Sequence, residues 1–123
     1  MNKYLLDTCF ILGLFKGNEQ VLALMQHISP QDCYVSVINR IELLGYHGIT
    51  PHDELELSNF LNEMTQLPLS QLVENKAISV RKRHKIKLAD SIVLATALAH
   101  ELQLLTLDNG LNTKFMHETM PEP

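Results

Sequence analysis

Cysteine is scarce in this chain. There are two, Cys9 and Cys33, and no C-x-x-C pair. One bridge would be a thin framework for a secreted domain, so the expectation is two reduced, buried thiols. The six histidines, at 27, 47, 52, 84, 100 and 117, fall in neither H-E-x-x-H nor H-x-x-x-H spacing, and no zinc site is predicted. Positive charge is also short: ten Lys+Arg stand against fourteen Asp+Glu, a formal charge of −4. That balance argues against a protein that coats nucleic acid non-specifically. Long apolar runs are missing. The stretch from Ile92 to Ala99 is far too short to span a bilayer. The apolar N-terminal run is broken by Asp7, and no small-x-small cleavage pattern follows, so a cytoplasmic location is expected. Repeats, low-complexity segments and linkers are absent as well. What remains is ordinary globular composition, 46% hydrophobic and 20% charged over 123 residues. Such a chain suits one domain, 1–123, whose core buries about two-thirds of the surface exposed on unfolding.

Against that background the pattern alternates. Lys3 to Leu6 reads as a short buried strand ending at Asp7. Thr8 to Lys16 reads as a helix closed by Gly17, and Asn18 caps a second one carrying Val21, Leu22, Leu24, Met25 and Ile28. After a turn at Ser29–Asp32, Cys33 to Val37 is a strand candidate rich in β-branched and aromatic residues. A helix follows over Ile38–Tyr46, with Ile38, Ile41, Leu44 and Gly45 expected toward the core. Thr50-Pro51 opens another helix, reaching about Met64. Gln66–Leu69 suits an edge strand, which tolerates Pro68. Ser70 caps a helix to about His84, and Leu88–Leu102 is the most apolar helix. Gln103–Leu107 is the last strand, Asp108-Asn109-Gly110 a turn, and the last dozen residues are weakly patterned. The alternation predicts an α/β fold with a central, mainly parallel sheet of four to five strands and helices on both faces.

Four acids stand out, placed where such elements converge on one sheet edge. Asp7 follows the first strand and Asp108 the last. Parallel sheets present their ligand sites at these carboxyl ends. Glu42 lies at the margin of a helical apolar stripe, on the same side as Asn39. Asp90 stands in the first turn of the most apolar helix. Each has a plainer reading: Asp7 and Asp90 as helix-start residues, Asp108 as a turn residue, Glu42 as a solvated surface acid. Together they suggest one site. Clustered carboxylates repel one another, and a divalent cation relieves the repulsion. An all-oxygen donor set suits Mg²⁺ or Mn²⁺, ions that promote phosphodiester hydrolysis.

These stretches resemble the PIN-domain family of the VapC toxin type. Leu5-Leu6-Asp7-Thr8 resembles its opening strand with the first metal acid, and Ser36-x-x-Asn39-x-x-Glu42-Leu43 its second motif. Lys87-Leu88-Ala89-Asp90-Ser91-Ile92-Val93-Leu94-Ala95-Thr96-Ala97 resembles the third, and Leu104-Leu105-Thr106-Leu107-Asp108 the closing strand and fourth motif. The resemblance implies a PIN fold, Mg²⁺- or Mn²⁺-dependent ribonuclease activity and a homodimer. It also implies a cognate antitoxin whose tail enters the active-site groove. Asp7, Glu42, Asp90 and Asp108 would be metal ligands or orient metal-bound water. Thr8, Ser36, Asn39 and Thr106 would position the carboxylates. The chain departs from the family pattern at Cys9, where a small polar residue is usual, at Asn39, where Ser or Thr is common, and at Gly110-Leu111, where many members carry a further Asp.

Five of the ten basic residues fall between Arg81 and Lys87. Arg81, Lys82, Arg83, Lys85 and Lys87 are read as a rim that holds the RNA backbone beside the metal, with a solvated helix end as the plainer reading. Apolar faces at Phe10–Phe15 and Leu55–Phe60 suggest a partner surface, with ordinary core as the alternative. Two other acid-pocket classes fit poorly. A haloacid-dehalogenase-like phosphatase needs an acid where Cys9 stands, and a response-regulator receiver needs an acidic pair near the first strand's end. A non-catalytic PIN module that binds metal, RNA or protein is the remaining alternative.

Overall fold

The computed structural model describes residues 2–120; Met1 and residues 121–123 lie outside it. Four short strands, β1 (Tyr4–Leu6), β2 (Cys33–Ser36), β3 (Thr65–Leu67) and β4 (Gln103–Leu105), form one sheet in the order β3-β2-β1-β4. Every pairing is parallel: Leu5 lies beside Tyr34 on one side and Leu104 on the other. The helices are α1 (Thr8–Phe15), α2 (Glu19–Met25), α3 (Val37–Leu44), α4 (Pro51–Asn62), α5 (Gln71–Arg83), α6 (Leu88–Ala99) and α7 (Asn109–Thr119). The protein therefore has the expected α/β architecture. None of the described helices is long and apolar enough to cross a membrane.

Two-residue periodicity in the strands divides the core. Leu6, Cys33 and Val35 pack with Phe10, Ile11, Val21, Leu43, Leu57 and Leu61 from α1 to α4 on one face. Leu5 and Leu104 pack with Val80, Val93, Leu94, Leu111 and Phe115 from α5 to α7 on the other. A one-residue slip in β1 would exchange Leu5 and Leu6 between faces, so the register is firmly set. The chain lays down β1, β2 and β3 outward in one direction, then returns to place β4 on the far side of β1. That reversal is a topological switch point, where parallel sheets open a crevice at their carboxyl ends.

Local chemistry explains the helix starts. Asn18 accepts from the Val21 N–H at 3.1 Å, Thr50 from the Asp53 N–H at 3.1 Å with Pro51 in the first turn, and Ser70 from the Val73 N–H at 3.2 Å. Four expectations need correction. Residues 109–119 form a helix, not a weakly patterned tail: Asp108 accepts from the Leu111 N–H at 3.0 Å, and Leu111 and Phe115, one turn apart, bury against the sheet. The expectation for 121–123 lies outside the described residues. In α3 the buried positions are Asn39 and Leu43, whereas Ile41 is 60% exposed; the inward face is shifted because it carries a polar residue. Helix α6 ends at Ala99, where His100 and Glu101, the latter at φ 54, turn the chain into β4. Of the two thiols, both free, Cys33 is buried but Cys9 is only half-buried.

Helix α7 is tied to the end of α5 by Glu118. Its carboxylate accepts from Arg83 Nε at 2.9 Å and from Arg83 Nη2, and it meets His84 Nε2 at 2.7 Å. Arg83 first, and His84 after it, hold the Glu118 carboxyl down at about 2. The folded state thus binds that proton less readily than the unfolded chain. The stability Glu118 contributes is complete above its ordinary value of 4.5 and is lost as pH falls through about 2. Glu118→Gln should lower the unfolding midpoint at pH 7 and converge on the wild type near pH 2, as thermal melts across that range would show.

Candidate metal centre

The site grows from Asp7, the residue that ends β1. Its backbone N–H continues the sheet ladder, donating to the Leu105 carbonyl of β4 at 3.0 Å. This fixes the carboxylate, 6% exposed, at the crevice between β1 and β4. Four donors then hold it. The Thr8 N–H reaches Oδ1 at 2.8 Å and Asn39 Nδ2 reaches the same oxygen at 3.4 Å. The Thr106 hydroxyl donates to Oδ2 at 2.8 Å and the Cys9 thiol at 3.3 Å. Asp7 is at once the N-cap of α1 and a side chain aimed by three separate segments.

Asn39 links the acids. Fully buried in the first turn of α3, it accepts from the Ser36 N–H at 3.2 Å through Oδ1, while the Ser36 hydroxyl accepts from the Ile38 N–H at 3.2 Å. This reciprocal cap turns Nδ2 toward Asp7 and toward Thr8 Oγ1, 3.0 Å away. The Thr8 hydroxyl in turn donates to Glu42 Oε1 at 2.7 Å. Ser36 thus acts through Asn39 and contacts neither carboxylate directly. On the other side, Thr106 accepts from the Asp108 N–H at 3.0 Å while donating to Asp7. Asp108 lies beyond the end of β4 and caps α7.

Asp7, Glu42, Asp90 and Asp108 line one open groove of about 470 Å³, with Thr8, Cys9, Lys87 and Leu107 among its walls. Asp90 feels all of it. Burial, then the Asp7, Asp108 and Glu42 carboxylates in that order, push its carboxyl above the ordinary range, and Lys87 pulls it partly back. No three of these carboxylates have oxygens all within 4.8 Å of one another among the described residues. The arrangement suits a hard ion that keeps several of its waters, as Mg²⁺ does, rather than a tight all-protein cage. On donor chemistry, charge and room, the residues fit Mg²⁺ or Mn²⁺.

The basic run divides. Lys87 lines the acidic groove. Lys85 and Lys87 also line the adjoining hollow, with Asp90, Asp108 and Lys114. Arg83 turns to Glu118 instead, and Arg81 and Lys82 are exposed on the last turn of α5. Lys114 was missed by sequence reasoning, because the α7 that carries it was not foreseen. Cys9 was missed as a site residue too. Burial above all, with the Asp7 charge among the lesser causes, raises its thiol, so it stays protonated and donates. Its place two residues past Asp7, in the first turn of the helix Asp7 caps, was the available signal.

An α/β protein with four acids at the switch point of a parallel sheet is defined by these features, and sequence comparison supplies its family. The PIN domain model matches residues 4–114, and the chain belongs to the PIN domain family. Against curated proteins no match is found. Among solved structures, it is similar to a toxin–antitoxin complex from Klebsiella pneumoniae, at 28% identity and a TM-score of 0.77, covering 86% of this chain and 87% of that one. It is also similar to FitAcB from Neisseria gonorrhoeae, at 26% identity and 0.78, covering 91% and 92%. DNA-bound VapBC from Salmonella typhimurium shares the fold, at 17% identity and 0.70, covering 83% of each chain.

The raised Asp90 gives a signed prediction. Its carboxyl holds a proton more readily folded than unfolded, so without metal, stability falls as pH rises from the ordinary value of 3.8 through the raised one. Asp90→Asn should therefore melt at a higher temperature than the wild type at pH 7 in chelator, and at the same temperature near pH 3. Calorimetry in both buffers checks this.

Proposed function

We propose that this chain acts as a single PIN domain that hydrolyses RNA phosphodiester bonds with Mg²⁺ or Mn²⁺, as the toxin of a toxin–antitoxin pair. The observation that carries the reading is geometric: Asp7, Glu42, Asp90 and Asp108, brought from four separate segments, line one open groove. Family membership and the toxin–antitoxin complexes among similar structures support it. Asp7, Glu42, Asp90 and Asp108 would hold the ion directly or through its waters. When bound, that ion supplies neutralisation of phosphate charge and activation of a water. The protein's part is orientation. Thr106, Cys9 and Asn39 fix Asp7, Thr8 fixes Glu42, and the α3 cap at Ser36 fixes Asn39. Lys87 borders the groove and Lys85 the adjoining hollow, where they would hold the RNA backbone against an otherwise acidic chain, while Arg81 and Lys82 extend the positive field along α5.

The cognate antitoxin would cover this groove in the resting cell, and the toxin would work as a homodimer in the cytoplasm. The exposed Phe15 and Leu55, with the edge-on Phe15–Phe60 stack at 5.5 Å, supply an apolar face for the second copy. The half-buried Cys9, in place of the family's usual small polar residue, favours a second reading, a PIN module that binds metal or RNA without turnover.

One assay decides between the readings. Purified protein with RNA should cleave with Mg²⁺ or Mn²⁺ and stop in chelator, and Asp7→Asn and Asp90→Asn should each lower the rate by roughly 10²–10⁴-fold. Equal rates in wild type and variants would mean a contaminating nuclease and a non-catalytic module. Lys87→Glu should weaken RNA binding at low salt, with the difference shrinking as salt rises, whereas Arg83→Glu should change binding less. Filter binding at two salt concentrations measures both.

A further inference from the structure

Apart from the residues that line the acidic groove, His84, His117 and Glu118 each offer a ligand atom, all within 4.8 Å of one another. His84 is the C-cap of α5, and the other two lie in the last turn of α7. The two imidazoles meet edge to face with ring centroids 5.5 Å apart, and His84 Nε2 already reaches Glu118 Oε2 at 2.7 Å. We propose that these three side chains form a second metal site, for a zinc-class transition ion, distinct from the acidic groove in place and in chemistry.

Three features favour it. The donor set is two imidazole nitrogens and one carboxylate, which selects Zn²⁺, Co²⁺ or Ni²⁺ over the hard ions suited to the groove. Tetrahedral zinc needs its ligand atoms about 3.3 Å apart, so side-chain rotations on the order of 1 Å close the set around an ion and leave a fourth position for water. The cluster is also partly sheltered, with the His84 and Glu118 side chains only 13% and 10% exposed. Arg83 competes for the same carboxylate, but its side chain is 44% exposed. It can keep one oxygen or swing into solvent, where its charge is screened. An ion here would pin α7 to α5 and fix the start of the Lys85–Lys87 connection, whose Lys87 borders the acidic groove. The local spacing patterns that predict no zinc site could not find it, because its two histidines come from different helices.

Cobalt titration of the full-length, chelator-stripped protein tests this, because Co²⁺ held by nitrogen ligands in a four-coordinate site absorbs strongly in the visible and Co²⁺ among carboxylates and waters absorbs weakly. The proposal expects a saturable visible band at one Co²⁺ per chain, displaced by Zn²⁺ and retained in Asp90→Asn. His117→Ala, at an exposed position, should weaken that binding by about tenfold or more. His84→Gln should do the same, and circular dichroism of both variants will report whether they remain folded. No band, a band that survives His117→Ala, or a band lost in Asp90→Asn would each overturn the assignment.

Discussion

Four acidic side chains line one groove at the carboxyl ends of the strands, and the rest of the site follows from how their repulsion is managed. Asp7 cannot move away, because its own N–H is part of the β1–β4 ladder. Asp90 cannot, because it is set in the first turn of a helix whose other face is core. Like charges fixed at close quarters leave two ways to relax: one carboxyl takes up a proton, or a cation enters. The Asp90 carboxyl, raised by burial first and by the three neighbouring acids after it, leans toward the first of these, and a hydrated divalent ion would supply the second. A cluster of this kind would cost stability without a cation and would favour binding one.

The neutral polar residues around the acids make that compromise workable. Asn39 is fully buried, which would be costly for an unpartnered amide, yet it is tied at one end to Ser36 and at the other to Asp7 and Thr8. Thr106 similarly donates to one acid and accepts from the backbone of another. None of the buried side-chain nitrogens and oxygens described lacks a hydrogen-bond partner. The carboxylates are thus aimed by groups that carry no charge and add no further repulsion. The geometry of the groove is a by-product of helix capping: α1, α3 and α7 each start beside it, and their caps, Asp7, Ser36 with Asn39, and Asp108, line it or support residues that do.

Much of this was legible in the chain. Strand–helix alternation gave the layers, and the position of Asp7 and Asp108 just past apolar strands pointed to one edge of the sheet. Asp7 is a helix cap, as its plain reading had it, and also lines the groove; Asp108, read plainly as a turn residue, is instead the cap of α7 and lines the same groove. What was not legible had specific causes. Helix α7 hid because its inward face is only Leu111 and Phe115 among polar neighbours, too sparse for a periodic signal. The inward face of α3 was misread because its key buried residue, Asn39, is polar, and apolar periodicity pointed to Ile41 instead. Arg83 looked like one member of a basic run, but its direction depends on Glu118, an acid on that unforeseen helix.

The central claim is that the four acids act as one divalent-ion site, and Mn²⁺ binding tests it without reliance on any substrate. With the His84–His117–Glu118 cluster reduced by His117→Ala, free Mn²⁺ can be followed by electron paramagnetic resonance during titration of the full chain. The account predicts saturable binding that Asp7→Asn or Asp90→Asn each weakens by about tenfold or more. Binding of equal strength in all three proteins would show that the carboxylates do not hold an ion together, and would contradict it.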